Sequence, residues 1–124
     1  MKKEIQERSD IDFILKTFYL KLFADDRIAY LFIDVAKLDL ETHLPHLADF
    51  WESVIFDKND YAKNVMFIHM DLHKKSPLTA EHFQLWVNYF KETIDEHYTG
   101  ELAQKMKDRS SGIAYIMKTK VVNV

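Results

Sequence analysis

The sequence has no cysteine, and this absence excludes several kinds of site. Disulfide bonds, thiolate-ligated zinc and a thiol nucleophile all require cysteine. The chain also has only two glycines and two prolines, the residues on which tight turns between strands depend. This scarcity argues against a sheet protein with many hairpins. The hydrophobic share of 48% over 124 residues predicts one well-filled domain spanning residues 1–124.

Long apolar runs and a strong charge of one sign are also missing. The longest unbroken apolar run, residues 28–33, is far too short to span a bilayer, so we expect no membrane partner. Residues 1–8 are charged and no apolar run follows them, which predicts a flexible N-terminal extension and no signal peptide. The net charge is −3 and no basic stripe is present, so no nucleic-acid partner is expected. A cytoplasmic protein is the resulting expectation.

Apolar residues recur at helical spacing along most of the chain. The pattern predicts an all-α architecture of about six helical segments, four of them substantial. The first helix is expected to begin at Ser9, and the helix over residues 79–99 is expected to be capped by Thr79, because both hydroxyls can accept from first-turn backbone N–H groups. The predicted long helices cover residues 9–23, 39–56, 79–99 and 101–120, and a polar loop and a short helix are predicted over residues 57–64 and 65–73.

Histidine is the remaining source of nitrogen ligands for a metal. His69 and His73 are four residues apart, so on a helix they share a face and can bind one ion. Such a pair is also common on ordinary protein surfaces. The sequence contains no Glu-x-x-His repeat, no His-Glu-x-x-His motif and no glycine-rich phosphate loop, which argues against a di-iron site, a zinc protease and a nucleotide site.

A haem pocket needs one axial imidazole, an apolar slot and a few polar groups near the sixth coordination site. The sequence supplies such groups at positions predicted to face inward: His73, Tyr19, Trp86 and His43. Aromatic stripes at helical spacing are also typical of an ordinary core. The residues alone therefore leave a haem pocket and a plain helical core open.

Four segments, in order, resemble the group III truncated haemoglobins of bacteria. They are FYLKLFADDRIAYLF at residues 18–32, HLPHLADFW at 43–51, DYAKN at 60–64 and HKKSPLTAEHFQLW at 73–86. The resemblance covers nearly the whole chain after Ser9. It implies a truncated globin, a 2-on-2 helical sandwich around haem b. The chain departs from the family pattern at three positions. Leu40 and Ala80 stand where the family often has tryptophan and proline, respectively. Pro45 is a proline that the family pattern does not have.

The resemblance also implies roles for individual residues. His73 would be the iron ligand, with His69 on the proximal wall. Tyr19 would donate a hydrogen bond to a bound ligand, and Trp86 would be a second donor or a packing residue. For His43 three interpretations stay open: a distal gate, a further donor or a second axial ligand.

The remaining assignments concern the walls of the implied pocket and the other polar residues near it. Phe32 would stack on haem and Leu47 would cover its distal face. Lys74 and Lys75 are candidates for contact with the haem propionates. His46, His82 and His97 are expected to be structural or solvated.

The function that follows is the binding of O2, NO or CO at the sixth iron position by a monomer. Two or three donors are more than a simple carrier needs, so sensing, NO detoxification or peroxide chemistry is as consistent with the residues as oxygen transport. Either reaction would need an external reductase, because the chain has no flavin or nicotinamide domain. Two other classes stay open: a haem-free helical interaction module, and a non-haem metal protein that uses His69 and His73.

Overall fold

The structure is a computed structural model that describes residues 2–35, 40–56 and 78–122. The regular elements in these ranges confirm the predicted all-α class. None of these helices is both long and apolar enough to cross a bilayer. The predicted loop at 57–64 and short helix at 65–73 lie outside the described residues. The elements are β1 (Lys3–Glu4), α1 (Arg8–Phe23), α2 (Asp26–Tyr30), a π-helix (Leu31–Val35), α3 (Leu40–Ile55), α4 (Ala80–His97), β2 (Tyr98–Thr99) and α5 (Glu101–Val122).

Two pairs of helices form the body of the fold. Helix α1 packs on α3, helix α4 packs on α5, and the pairs meet where α1 contacts α4. This is the predicted 2-on-2 arrangement. Each long helix turns its apolar face toward the other pair, since burying that face removes apolar surface from water. The side chains at the centre are fully buried and include Phe18, Leu22, Phe90, Ile94 and Met106.

The helix ends agree with the sequence prediction at α4 and differ at α1. Thr79 caps α4, as predicted, and its Oγ1 accepts the backbone N–H of His82 at 3.3 Å. Helix α1 begins at Arg8, so Ser9 lies in its first turn and is not the cap. Asp10 provides the side-chain hydrogen bonds at this end of the helix, because its carboxylate accepts the backbone N–H groups of Gln6 and Glu7 at 2.8 and 3.2 Å. A carboxylate satisfies these donors and also interacts favourably with the positive end of the helix dipole.

The N-terminal residues are part of the fold, in contrast to the predicted flexible extension. Strand β1 pairs in parallel with β2, with Lys3 opposite Tyr98, and Ile5 is buried. Gly100 follows β2 with a φ of +99°, and a side chain there would meet the Glu4 carboxylate. Glycine is therefore required at this crossing. The pairing gives hydrogen-bond partners to backbone groups of β1 and β2. Sequence periodicity does not predict it, because the two strands are far apart in the sequence.

Candidate functional site

Tyr19 and His43 form a polar pair inside the helical body. Tyr19 belongs to the apolar stripe of α1 and is 4% exposed. Its hydroxyl oxygen lies 3.3 Å from His43 Nε2 on α3. The Phe32 ring, from the π-helix, stands nearly perpendicular to the Tyr19 ring, with centroids 5.7 Å apart. Three elements thus bring together three of the predicted site residues.

Burial keeps the Tyr19 side chain neutral. Burial raises the pKa of Tyr19 above its usual value, because the phenolate would lose its hydration. The hydroxyl therefore keeps its proton in any physiological solution. It can donate a hydrogen bond to the His43 ring or to a third polar atom placed beside it, according to the tautomer of His43.

Helix α3, which carries His43, contains a proline. Pro45 is the sixth residue of the helix, so its nitrogen has no hydrogen to give to the carbonyl one turn earlier. The helix continues nonetheless, and Arg8 of α1 contacts it at three points. Its guanidinium donates to the Pro45 carbonyl oxygen at 3.2 Å, and it pairs with Asp49 at 2.8 Å and with Glu52 at 3.3 Å. These contacts hold α3 against the start of α1, about three helical turns before Tyr19.

An apolar cavity lies beside the polar pair, with Phe32 belonging to both. The space between its walls that is free of atoms is about 430 Å³, a volume that includes open solvent. Trp86 of α4 contributes to its wall. The other described residues that line it are Ile28, Leu31, Leu78, His82, Phe83, Ala114 and Met117. The wall is thus largely apolar, and His82 and Trp86 are its residues with ring nitrogens.

The Trp86 indole is held by two neighbouring rings. It stacks on Phe90, with centroids 5.6 Å apart and 8° between planes, and meets Phe18 edge-on at 5.9 Å. Within residues 2–35, 40–56 and 78–122, its N–H has no hydrogen-bond partner. A half-buried indole N–H of this kind is a donor available to a bound molecule.

Other predicted site residues are placed less directly, or are not described. Leu47 packs against the hydrophobic core, but it is not among the described residues that line the cavity. His73 and His69, like Lys74 and Lys75, lie outside the described residues, so their roles stay predictions. Among the residues that the structure does describe, no three histidine or carboxylate side chains are grouped so that they would hold a metal ion.

His82 is a polar residue of the cavity wall that the sequence analysis did not place there. His82 was expected to be structural or solvated, and the structure buries it to 7% exposure in the cavity wall. Its Nδ1 accepts the backbone N–H of Thr79 at 3.1 Å, and its Nε2 lies 3.1 Å from the Tyr30 hydroxyl. The sequence signal was its position three residues after the cap. Glutamate or glutamine is usual there, so a histidine is easily overlooked.

Comparisons with known proteins agree with this architecture. No protein-family model matches the chain. It is 25% identical over 117 residues to a curated protein of Campylobacter jejuni named group 3 truncated hemoglobin ctb, covering 92% of this chain and 90% of that protein. The crystal structure of a group III truncated hemoglobin from Campylobacter jejuni superposes with a TM-score of 0.82 at 22% identity, covering 98% of this chain and 95% of the other. The chain thus has the truncated-globin fold and is similar along nearly its whole length to a group III truncated hemoglobin.

Proposed function

We propose that this protein binds haem b in the apolar cavity and holds O2, NO or CO on the side of Tyr19. The observation that carries this proposal is the pair of buried Tyr19 and partly buried His43, whose groups are 3.3 Å apart, next to an aromatic-walled cavity that shares Phe32 with it. The curated relative is named a truncated hemoglobin, which supports the same conclusion.

The described residues fit haem in their chemistry. A flat, largely apolar macrocycle needs apolar walls, which the cavity supplies through Leu31, Phe32 and Phe83. It also needs one axial ligand, and without cysteine in the chain an imidazole is the natural choice. We assign that role to His73, from its place in the family-like segment 73–86. When bound, haem supplies an iron whose sixth position takes a small diatomic ligand.

The chain's own donors would determine how long that ligand stays. The Tyr19 hydroxyl and the Trp86 N–H each have a hydrogen to offer, and His43 is a third candidate beside Tyr19. A hydrogen bond contributes about 0.5–1.5 kcal/mol between neutral groups and about 1.5–3 kcal/mol to a charged one. Each ~1.4 kcal/mol slows release about tenfold. With retention of that strength, sensing, NO detoxification or peroxide chemistry is as consistent with these donors as oxygen transport.

Turnover in such chemistry would require electrons from outside the chain. We propose an external reductase as the partner, and we expect a cytoplasmic monomer. Neither the reductase nor the preferred ligand enters the test of haem binding that follows.

The test is titration of the purified protein with hemin. We expect a Soret band that saturates at one hemin per chain, with haem b recovered intact by acid–acetone extraction because it is not covalently attached. His73→Ala should weaken uptake, whereas His97→Ala, a matched change at an exposed histidine (41% side-chain exposure), should leave it unchanged.

Other outcomes of this titration would point to other classes of protein. Absence of a Soret band at micromolar concentrations would reject the haem proposal. Elemental analysis of the same sample would then separate the two alternatives. Stoichiometric zinc or copper would indicate the His69–His73 metal site, and absence of metal would leave a haem-free helical module.

A further inference from the structure

His82 is the third residue of α4, and both of its ring nitrogens are engaged. Nδ1 accepts the backbone N–H of Thr79 at 3.1 Å, so Nδ1 carries no proton. A neutral imidazole has a single N–H, which must then be on Nε2. That N–H points to the Tyr30 hydroxyl oxygen, 3.1 Å away. The geometry therefore requires a neutral ring in one tautomer.

These two bonds connect separate borders of the cavity. Thr79 and His82 cap each other, and together they fix the first turn of α4. Tyr30 is the last residue of α2, immediately before the π-helix that carries Phe32. The His82 ring itself is part of the cavity wall. One side chain thus positions the start of α4 relative to the segment that supplies Phe32.

We propose that neutral His82 is a positioning residue of the haem cavity, and that protonation of its Nδ1 in mildly acidic solution releases the first turn of α4 and weakens the hold on haem. This inference rests on the proposed haem-binding function. It concerns the regulation of that site by protons, and it assigns no contact between His82 and iron.

The physical reason is the loss of an acceptor. An imidazolium carries protons on both nitrogens, so Nδ1 would face the Thr79 N–H as a second donor. The cap bond would be lost and two donors would face each other, which is unfavourable. The Thr79 N–H would have to move away, and with it the start of α4.

The groups around the ring set the direction of the effect. Burial lowers the pKa of His82, and this outweighs the opposing influence of the Arg27 carbonyl and the Glu81 carboxylate. The Tyr30 hydroxyl faces Nε2, and the Arg27 guanidinium is engaged by Asp25 at 2.7 Å. The residues of α5 in the same wall, Ala114 and Met117, carry no charge.

The sign of the pH dependence follows from this lowered pKa. In the unfolded chain a histidine has a pKa of about 6.5. The stability contributed by neutral His82 is therefore fully present above about pH 6.5, and it is lost as the pH falls through the lower pKa of the folded state.

The variant that isolates this effect is His82→Gln. Glutamine at this helix position can accept the cap N–H but does not titrate. We would measure the rate of hemin transfer to excess apomyoglobin at pH 7.5 and at pH 5.5. Acidification should accelerate transfer from the wild type by roughly three- to tenfold more than from His82→Gln. The control His97→Gln, at an exposed histidine, should behave as the wild type.

A second measurement does not depend on haem release. In the ferrous CO form, NMR of the ring nitrogens should show the Nε2–H tautomer of His82 at pH 7.5 and a pKa below 6.5. This readout remains decisive if His82→Gln fails to fold. A ring with its proton on Nδ1, or one that titrates at or above pH 6.5, would overturn the proposal.

Failure of this inference is distinguishable from failure of the proposed function. Hemin uptake at pH 7.5, followed by equal acid acceleration in the wild type and His82→Gln, overturns the role of His82 alone. Lack of hemin uptake at pH 7.5 overturns the haem-binding function and, with it, this inference.

Discussion

The Trp86 indole and the Phe90 ring lie nearly parallel, with 8° between their planes and 5.6 Å between centroids. Phe90 is fully buried and stacks on Trp51 of α3 at 5.0 Å. It therefore lies between two indoles, one from each helix pair. Because Trp86 also borders the cavity, the packing of the core and the position of a candidate donor depend on the same ring.

Replacement of Phe90 by alanine should lower stability and displace Trp86. Loss of a fully buried phenylalanine costs about 3–5 kcal/mol in the free energy of unfolding, through lost burial and the cavity that remains. Urea unfolding followed by circular dichroism measures this cost. Leu20→Ala, at a side chain that is 56% exposed, is the control and should change stability by about 0.5 kcal/mol or less. Equal effects of the two changes would contradict the packing described for Phe90.

Tyr19→Phe and Trp86→Phe should each accelerate release of O2 from the haem-loaded protein. Each change removes one donor and keeps most of the ring, so the off-rate should rise by up to about tenfold for each ~1.4 kcal/mol lost. Stopped-flow displacement with CO measures it. Tyr115→Phe removes a hydroxyl from a residue that is 68% exposed and should have no effect. Unchanged rates in both site variants would assign retention to other donors, His43 first.

His73→Ala should abolish the iron–histidine stretch in the resonance Raman spectrum of the ferrous protein, and added imidazole should restore it. His69→Ala should leave the stretch nearly unchanged. The reason is spacing, since the segment from His73 to Trp86 resembles the family motif without a gap, whereas His69 would require an insertion of three or four residues. The opposite result would shift the assignment by one helical turn.

Asp10→Asn should destabilise the protein in a pH-dependent way. Burial raises the pKa of Asp10, but hydrogen bonds from Gln6, Lys3, Glu7 and Tyr98 outweigh it and hold the pKa below its usual value. The unfolded-state pKa is about 3.9, so the advantage of the wild type is fully present above that pH and disappears as the pH falls through the lower folded-state value.

The advantage of Asp10 near neutral pH should be about 1.5–3 kcal/mol, typical of a hydrogen bond to a charged group. Urea unfolding at pH 7 and at pH 3 compares the two proteins, with Asp26→Asn, at an exposed carboxylate, as the control. A constant difference across this range would show that the charge of Asp10 does not stabilise the fold.

The sequence by itself determined the helical class, the cap at Thr79 and the inward direction of Tyr19. These features depend on residues within a few positions of each other, because helix hydrogen bonds and caps are local and the helical repeat assigns each side chain to a face. The four family-like segments added the truncated-globin fold, which the structure and the comparison with a solved structure confirm.

Only the tertiary structure decided which side chains meet. Tyr19 and His43 are 24 residues apart, Tyr30 and His82 are 52 apart, and Tyr98 donates to Asp10 across 88 residues. No periodicity in a sequence specifies such distances, since they arise from how the helix pairs pack. The same packing attached Lys3 and Glu4 to β2 and buried His82 beside the cavity. The chain contains the chemical groups, and the folding of α1 against α3 and of α4 against α5 brings them close enough to act together.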